Sequence, residues 1–259
     1  MMHSLLFVPA KKKMLDKIAH TEADAVIIDL EDAVAEADKK TALEELKSFL
    51  AQPHSEKIFV RLDGNLMDEQ LDVLKQYPLV GYMIPKFEDP ERLVSRIPLF
   101  AEKQIIALVE TPLGAVNINQ IAGCPWVSAI AFGAEDYTCA TGMKNCAQTL
   151  HYVKSRLVMY SKAWGKPIYD TPSFELTDME LLQKEAELVM DMGFDGKLAI
   201  HPKQIPVINQ VFTACDAEYL SDVIARYESS GEAVLTIDGK VYEKMHIAHM
   251  KRILKEKKG

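Results

Sequence analysis

Eight short apolar runs recur along the chain, each followed by turn or charged residues and then by a longer amphipathic stretch. They are Leu5–Val8, Ala25–Leu30, Ile58–Leu62, Gly81–Ile84, Ile105–Val109, Val127–Phe132, Pro167–Tyr169 and Gly196–Ile200. Most are apolar at odd and even positions alike, the pattern of parallel strands covered by helices on the outside. The intervening stretches carry apolar residues at helical spacing: Leu43, Leu46, Phe49 and Leu50 in Thr41–Leu50; Leu150, Val153, Leu157, Tyr160 and Trp164 in Leu150–Trp164; Leu181, Leu182, Leu188, Val189 and Met192 in Thr177–Met192. Thr177 with Glu180 reads as a capping box, Gly193 as a helix stop and Pro90 as a first helical residue. Beyond the eighth run, Lys203–Tyr227 reads as helix, Gly231–Gly239 as a short glycine-bounded stretch and Val241–Lys255 as a final helix.

Eight strand–helix repeats in about 200 residues leave a closed (β/α)8 barrel or a doubly wound open sheet. The first strand–helix turn, Val8-Pro9-Ala10-Lys11, has no glycine, so it is no dinucleotide fingerprint, and no phosphate-binding P-loop motif occurs. The expectation is a TIM barrel over residues 1–212. A C-terminal helical extension over 213–259 is expected to pack on the barrel or on a neighbouring subunit. The length, 259 residues, suits a barrel, which needs ~250.

Composition narrows the partners. Apolar residues make up 48% and charged residues 26%, an ordinary globular balance. Thirty Lys and Arg against 38 Asp and Glu give −8 with no basic tail, which argues against nucleic acid and against anionic membrane surfaces. Cys124, Cys139, Cys146 and Cys215 lack metal-type spacing and read as reduced thiols. Lys11, Lys12 and Lys13 follow the first apolar run, the reverse of a secretory signal. A cytoplasmic protein is expected.

In a barrel, chemistry sits at the carboxyl ends of the strands. Polar residues there are Asp29, Glu31 and Asp32 (second run), Arg61 and Asp63 (third), Lys86 and Glu88 (fourth), Glu110 (fifth), Glu135 and Asp136 (sixth), Asp170 (seventh), and Lys197 and His201 (eighth). Any one of these acids taken singly suits a solvated loop. Acids ending the second, fifth, sixth and seventh strands would meet at one mouth, where they repel unless a cation holds them. All-oxygen ligands select Mg²⁺ or Mn²⁺. Arg61 among them suits a substrate carboxylate or a developing oxyanion. The residues thus point to a metal-assisted enzyme acting on a small acid.

The same residues fall in motifs that resemble the HpcH/HpaI aldolase and citrate lyase family, most closely its citrate lyase β-subunit-like branch. They are Ser4-Leu-Leu-Phe-Val-Pro9, Ala25-Val-Ile-Ile-Asp-Leu-Glu-Asp-Ala-Val34, Val60-Arg61-Leu62, Ile84-Pro-Lys-Phe-Glu88, Ala107-Leu-Val-Glu-Thr-Pro-Leu-Gly114, Ala131-Phe-Gly-Ala-Glu-Asp136, Arg156, Asp170 and Gly193-Phe-Asp-Gly-Lys-Leu-Ala-Ile-His-Pro202. The resemblance implies an oligomeric TIM barrel, a trimer being favoured, that uses Mg²⁺ held by Glu110 and Asp136. It implies that Arg61 contacts the substrate's carboxylate or keto oxygen, with Glu31 and Asp32 beside the metal. Lys86, Asp170, Lys197 and His201 sit at family positions; for His201 a structural hydrogen bond and a catalytic role stay equally open. Lys11 and Lys12 suit either the phosphates of coenzyme A or the solvated start of a helix.

Four positions depart from the family pattern. His3 stands for Arg, Ala10 for Gly, Asp63 for the Asn of V-R-x-N, and Glu243 for the last Asp of D-G-K-M-I-D. In some relatives that last residue serves a neighbouring subunit as acid or base, so Glu243 joins Arg61 and Asp32 as a catalytic candidate. The activity implied is Mg²⁺-dependent carbon–carbon cleavage of a β-hydroxyacyl thioester of malyl-, citramalyl- or citryl-CoA type, giving a keto acid and an acyl thioester. Alternatives are a class II aldolase on free 2-keto acids, and a citrate lyase β subunit active only with an acyl-carrier partner.

Overall fold

A computed structural model describes residues 2–100, 102–213 and 217–256. They form two compact units, Met2–Phe212 and Thr213–Gly259. In the first unit eight parallel strands close into a barrel in sequential order: β1 (Ser4–Pro9), β2 (Ala25–Asp29), β3 (Ile58–Arg61), β4 (Gly81–Ile84), β5 (Ile105–Val109), β6 (Ala129–Phe132), β7 (Ile168–Asp170) and β8 (Gly196–Ala199). β1 closes on β8 through Leu5↔Leu198. This is the (β/α)8 TIM barrel that the apolar runs predict, and every run contains its strand to within two residues at either end.

The absence of alternation in the runs has a direct cause. Leu5, Ile27, Phe59, Met83, Ile106, Leu108, Tyr169 and Leu198 fill the barrel interior. Their neighbours Leu6, Val26, Ile28, Val60, Ile84, Val109 and Ile130 join the layer that the helices cover. Both faces are dry, so both are apolar. The helices are α1 (Lys12–Leu15), α2 (Lys39–Leu50), α3 (Met67–Leu74), α4 (Ile97–Phe100), α5 (Pro112–Val116), α6 (Ile118–Gly123), α7 (Ala134–Thr141), α8 (Ala147–Ala163), α9 (Met179–Asp191) and α10 (Ile205–Thr213). Leu43, Leu46 and Leu50 of α2 and Leu150, Val153 and Leu157 of α8 are buried as expected, but Trp164 lies just past the end of α8 and is exposed.

The cap of α9 is shifted by one residue. Asp178, not Thr177, accepts from the Leu181 N–H, while the Thr177 hydroxyl turns back to Glu175. The helix rotates with it: Leu182, Ala186 and Val189 are buried, whereas Leu181 and Leu188 are exposed. Pro90 opens a 3-10 turn, Pro90–Arg96, capped by Asp89.

The second unit is α11 (Ala217–Ser230), a hairpin of β9 (Val234–Ile237) and β10 (Lys240–Glu243), and α12 (Lys244–Glu256). Val223, Ile224, Ile237, Tyr242 and Ile247 are its core. The expected final helix therefore starts too early, because Val241, Tyr242 and Glu243 are strand. Asp238 and Gly239 form the two-residue turn with φ +50° and +78°, the geometry that an Asp-Gly pair favours between paired strands. The expected helix Lys203–Tyr227 includes residues 214–216, which lie outside the described set, as does Cys215. Cys124, Cys139 and Cys146 are free thiols. No described helix is long and apolar enough to cross a membrane.

Candidate active site

Neighbouring strands deliver the first contacts. Asp29 closes β2 and Arg61 closes β3, and the two are register partners. Their side chains meet end-on: Arg61 Nε donates to Asp29 Oδ1 at 2.7 Å and Nη2 to Oδ2 at 2.6 Å. Asp29 also accepts from the backbone N–H groups of Glu31 and Ala33, which folds the β2 loop back over the strand end. The remaining guanidinium nitrogen, Nη1, lies 3.4 Å from Glu31 and 3.2 Å from Asp32. The ring of Phe7 sits under the guanidinium, 5.1 Å away. Burial opposes the charge on Arg61, but the Asp29 hydrogen bonds and the acids around it hold the guanidinium even further above neutrality than usual.

Lys86 extends the network. Its ammonium lies 3.0 Å from Glu31 and 3.6 Å from Asp136. Its backbone, at φ +46°, points the N–H at Glu110 Oε1, 2.8 Å away. Burial lowers the lysine's proton affinity, yet the hydrogen bond to Glu31 and the charges of Glu31, Glu110 and Asp136 together outweigh it and hold the ammonium above its ordinary range.

Glu110 is the odd member. It is 4% exposed, and among the described residues it accepts one hydrogen bond, from the Lys86 backbone. Among the described residues no side-chain cation forms an ion pair with it, although the charge of Arg61 is near enough to oppose the rise in its proton affinity. Burial, reinforced by the charges of Glu31 and Asp136, pushes its carboxyl up to about 8. Glu31 is also raised, by burial first, with Arg61 and Lys86 opposing.

Asp29, Arg61, Asp32, Glu110 and Asp136 of this network line one cavity of about 380 Å³ at the carboxyl end of the barrel, with Glu31 and Lys86 tied to them from outside its wall. Asp29, Asp32, Arg61, Glu110, Glu135 and Asp136 supply its polar lining, and Phe7, Leu108, Leu198 and Phe174 supply apolar side chains. Such a mostly apolar pocket with a few convergent polar groups is the usual form of a small-molecule site.

The expected residues divide accordingly. Arg61, Asp32, Glu31, Lys86, Glu110 and Asp136 meet at one mouth. Asp170 does not face it: its carboxylate is fully buried and takes Lys154 and Lys197 at 2.7 Å each. Arg61 is not a free anion receptor either, since Asp29 occupies two of its three nitrogens. Lys11 and Lys12 are exposed at the start of α1 and do not line the cavity, and the Lys12 N–H donates to Glu45. Glu243 ends β10 in the second unit, exposed, with its N–H donated to His246. His201 Nδ1 caps the turn at Pro202, a structural hydrogen bond.

Sequence reasoning missed the groups that act from a distance. Lys39 reaches back from α2 to the carbonyls of Leu30 and Glu31 and to Asp63 Oδ2 at 2.7 Å. That ion pair accounts for Asp63 where the family pattern has Asn. Burial opposes it, but the Lys39 contact holds the Asp63 carboxyl below its ordinary range. His3, in place of Arg, meets the Asp195 carbonyl and stacks on Phe212. Lys154, Thr171 and Phe174 also went unnoticed, their only signal being a polar residue on a helix stripe or just past a strand end.

The sequence profile of the HpcH/HpaI aldolase/citrate lyase family matches residues 3–202. The chain belongs to this family. It is 31% identical to a (3S)-malyl-CoA thioesterase of Cereibacter sphaeroides over 97% of this chain and 93% of that protein. It is 32% identical to a citrate lyase subunit beta-like protein of Mycobacterium tuberculosis, over 80% of this chain and 77% of the relative. The crystal structure of CitE from Mycobacterium tuberculosis in complex with magnesium, acetoacetate and coenzyme A superposes with a TM-score of 0.86. It is 28% identical in sequence and covers 100% of this chain and 98% of that one. These matches bear out the family, the barrel and the enzyme class read from the motifs.

Proposed function

We propose that the chain is a Mg²⁺-dependent carbon–carbon lyase that cleaves a β-hydroxyacyl-CoA of malyl, citramalyl or citryl type into a keto acid and an acyl thioester. The observation that carries this is Glu110, a buried carboxylate without a side-chain ion pair among the described residues, lining the same pocket as Asp136 and Arg61. The donor set fits Mg²⁺: two carboxylates, hard oxygens and no sulfur or imidazole. Relatives crystallised with magnesium and small keto or acyl ligands support the same reading.

Glu110 and Asp136 would hold the ion, which when bound would supply positive charge to the hydroxyl oxygen as it loses its proton and to the keto acid that this oxygen becomes part of on cleavage. Arg61, fixed by Asp29, presents its Nη1 edge and positive potential to the keto acid. Asp32, 62% exposed at the side chain and lining the pocket, takes the hydroxyl proton. The electron pair of the carbon–carbon bond passes to the thioester α-carbon, which is then protonated. We assign that last proton to Glu243 from a neighbouring copy in a homo-oligomer, a trimer in the favoured reading. Three free thiols are in keeping with a cytoplasmic setting.

A second reading, thioester hydrolysis, is favoured by the 31% identity to a malyl-CoA thioesterase. Incubating the purified protein with malyl-, citramalyl- and citryl-CoA and with free 4-hydroxy-2-oxo acids, with Mg²⁺ or chelator, separates the cases. Keto acid from a thioester marks the lyase. Free thiol without keto acid marks the thioesterase, and keto acid from free acids marks the aldolase. Glu110→Ala and Asp136→Ala are each expected to abolish Mg²⁺-dependent turnover; full activity in either sinks the assignment.

A further inference from the structure

Helix α7 carries Asp136 in its first turn, so whatever fixes the start of α7 fixes that carboxylate. The first backbone N–H groups of any helix need acceptors, and Ser, Thr, Asp or Asn at the preceding position usually provides one. Here that position is Gly133. A Cβ on it would stand 2.7 Å from both Cβ and Oε2 of Glu110. The approach of Glu110 thus excludes the side chain that would ordinarily cap the helix.

The acceptor comes from another strand. The Ala134 N–H donates to Thr171 Oγ1 at 3.1 Å, in a buried contact. Thr171 is held in turn by the ion cluster below it. Lys197 Nζ donates to the Thr171 carbonyl and to Asp170 Oδ2, 2.7 Å each, and Lys154 takes Asp170 Oδ1 at 2.7 Å. On the other side, the Gly133 N–H donates to the Val109 carbonyl at 3.0 Å, next to Glu110. Three and two residues before Asp136, the backbone is therefore tied to β5 through Gly133 and to the Thr171 hydroxyl through Ala134. The lysines around Asp170 never reach the pocket; their effect arrives through Thr171.

We propose that Thr171 is a positioning residue for Asp136: it caps α7 from β7 and so sets the approach of the Asp136 carboxylate toward Glu110 and a shared divalent ion. This rests on the reading of Glu110 and Asp136 as metal ligands. Removing a group that orients a ligand typically costs 10–100-fold in metal affinity.

The test is direct binding of Mn²⁺, followed by electron paramagnetic resonance, to the wild type, Thr171→Val and Thr171→Ser, with circular dichroism to confirm the fold. Thr171→Val keeps the shape and loses the acceptor, and about 10–100-fold weaker binding is expected. Thr171→Ser keeps the hydroxyl and is expected to bind like the wild type. If the valine variant fails to fold, Ala134→Pro deletes the donor instead. Proline is accepted at a first helical position, and Gly133 has the extended backbone that precedes it. It is expected to weaken Mn²⁺ to the same degree. A folded Thr171→Val or Ala134→Pro that binds Mn²⁺ as tightly as the wild type overturns the proposal, as does a serine variant as weak as the valine one. A wild type that binds no Mn²⁺ overturns the metal-dependent function itself, which keeps the two failures distinct.

Discussion

Two buried carboxylates at the ends of strands β5 and β7, two places apart in the same barrel, live in opposite surroundings. Asp170, at the end of β7, is fully buried between two lysines, with Lys197 itself 2% exposed. Burial would raise its carboxyl, but the two ammonium groups win and hold it below the ordinary range. Glu110, just past β5, is almost as buried and has no such partner, so burial wins and the carboxyl rises to about 8. The first charge is compensated within the fold. The second is left in want of a cation, an arrangement that costs stability and is typical of sites built for a ligand.

The contrast is broken most severely at Asp170. Asp170→Asn leaves two buried ammonium groups without their anion, and breaking a buried pair this way costs ~3–5 kcal/mol. Chemical denaturation is expected to show that loss, and a variant as stable as the wild type would mean that water reaches the cluster.

Glu110→Gln is expected to act in the opposite direction. The metal-free variant melts several degrees above the wild type at pH 8, because a neutral amide replaces a carboxylate that resists ionisation. The same variant loses Mg²⁺-dependent turnover. An unchanged or lower melting temperature in calorimetry would show that Glu110 is already compensated without metal.

The pH dependence sharpens the comparison. The raised carboxyl of Glu110 favours the folded state at low pH. In metal-free protein its contribution is fully present below ~4.3, the unfolded value, and is lost as pH rises through about 8. The lowered carboxyl of Asp170 does the reverse: its contribution is present above ~3.9 and lost only as acid takes the pH down through its folded value. The gap in melting temperature between Glu110→Gln and wild type should therefore widen from pH 5 to pH 8. A constant gap would assign the slope to other groups.

Much of this was legible along the chain, and the parts that were not have a common reason. The strands were visible because a parallel barrel is dry on both faces, so each strand is a continuous apolar run. Glu110, Asp136, Arg61, Glu31, Asp32 and Lys86 were visible because barrel chemistry follows strand ends. The hairpin in the tail carried its own signal, Asp238-Gly239, which was overridden by the helical spacing after it. Lys154 was not legible: it sits in the middle of α8 on an apolar stripe, 16 residues before the aspartate it pairs with. Lys39 looked like one more surface lysine at the start of a helix.

Local periodicity and position within each repeat already dictate the element order, the closed parallel barrel and which acids end its strands. Which of those acids reach the mouth and which are neutralised is settled by contacts between distant elements. The tertiary structure turned Asp170 inward to two lysines, clamped Arg61 on Asp29, left Glu110 without an ion pair among the described residues and gave α7 its cap from Thr171. Those outcomes depend on distances between strands that no local pattern encodes, and on burial, which amplifies each charge contact that the fold makes or withholds.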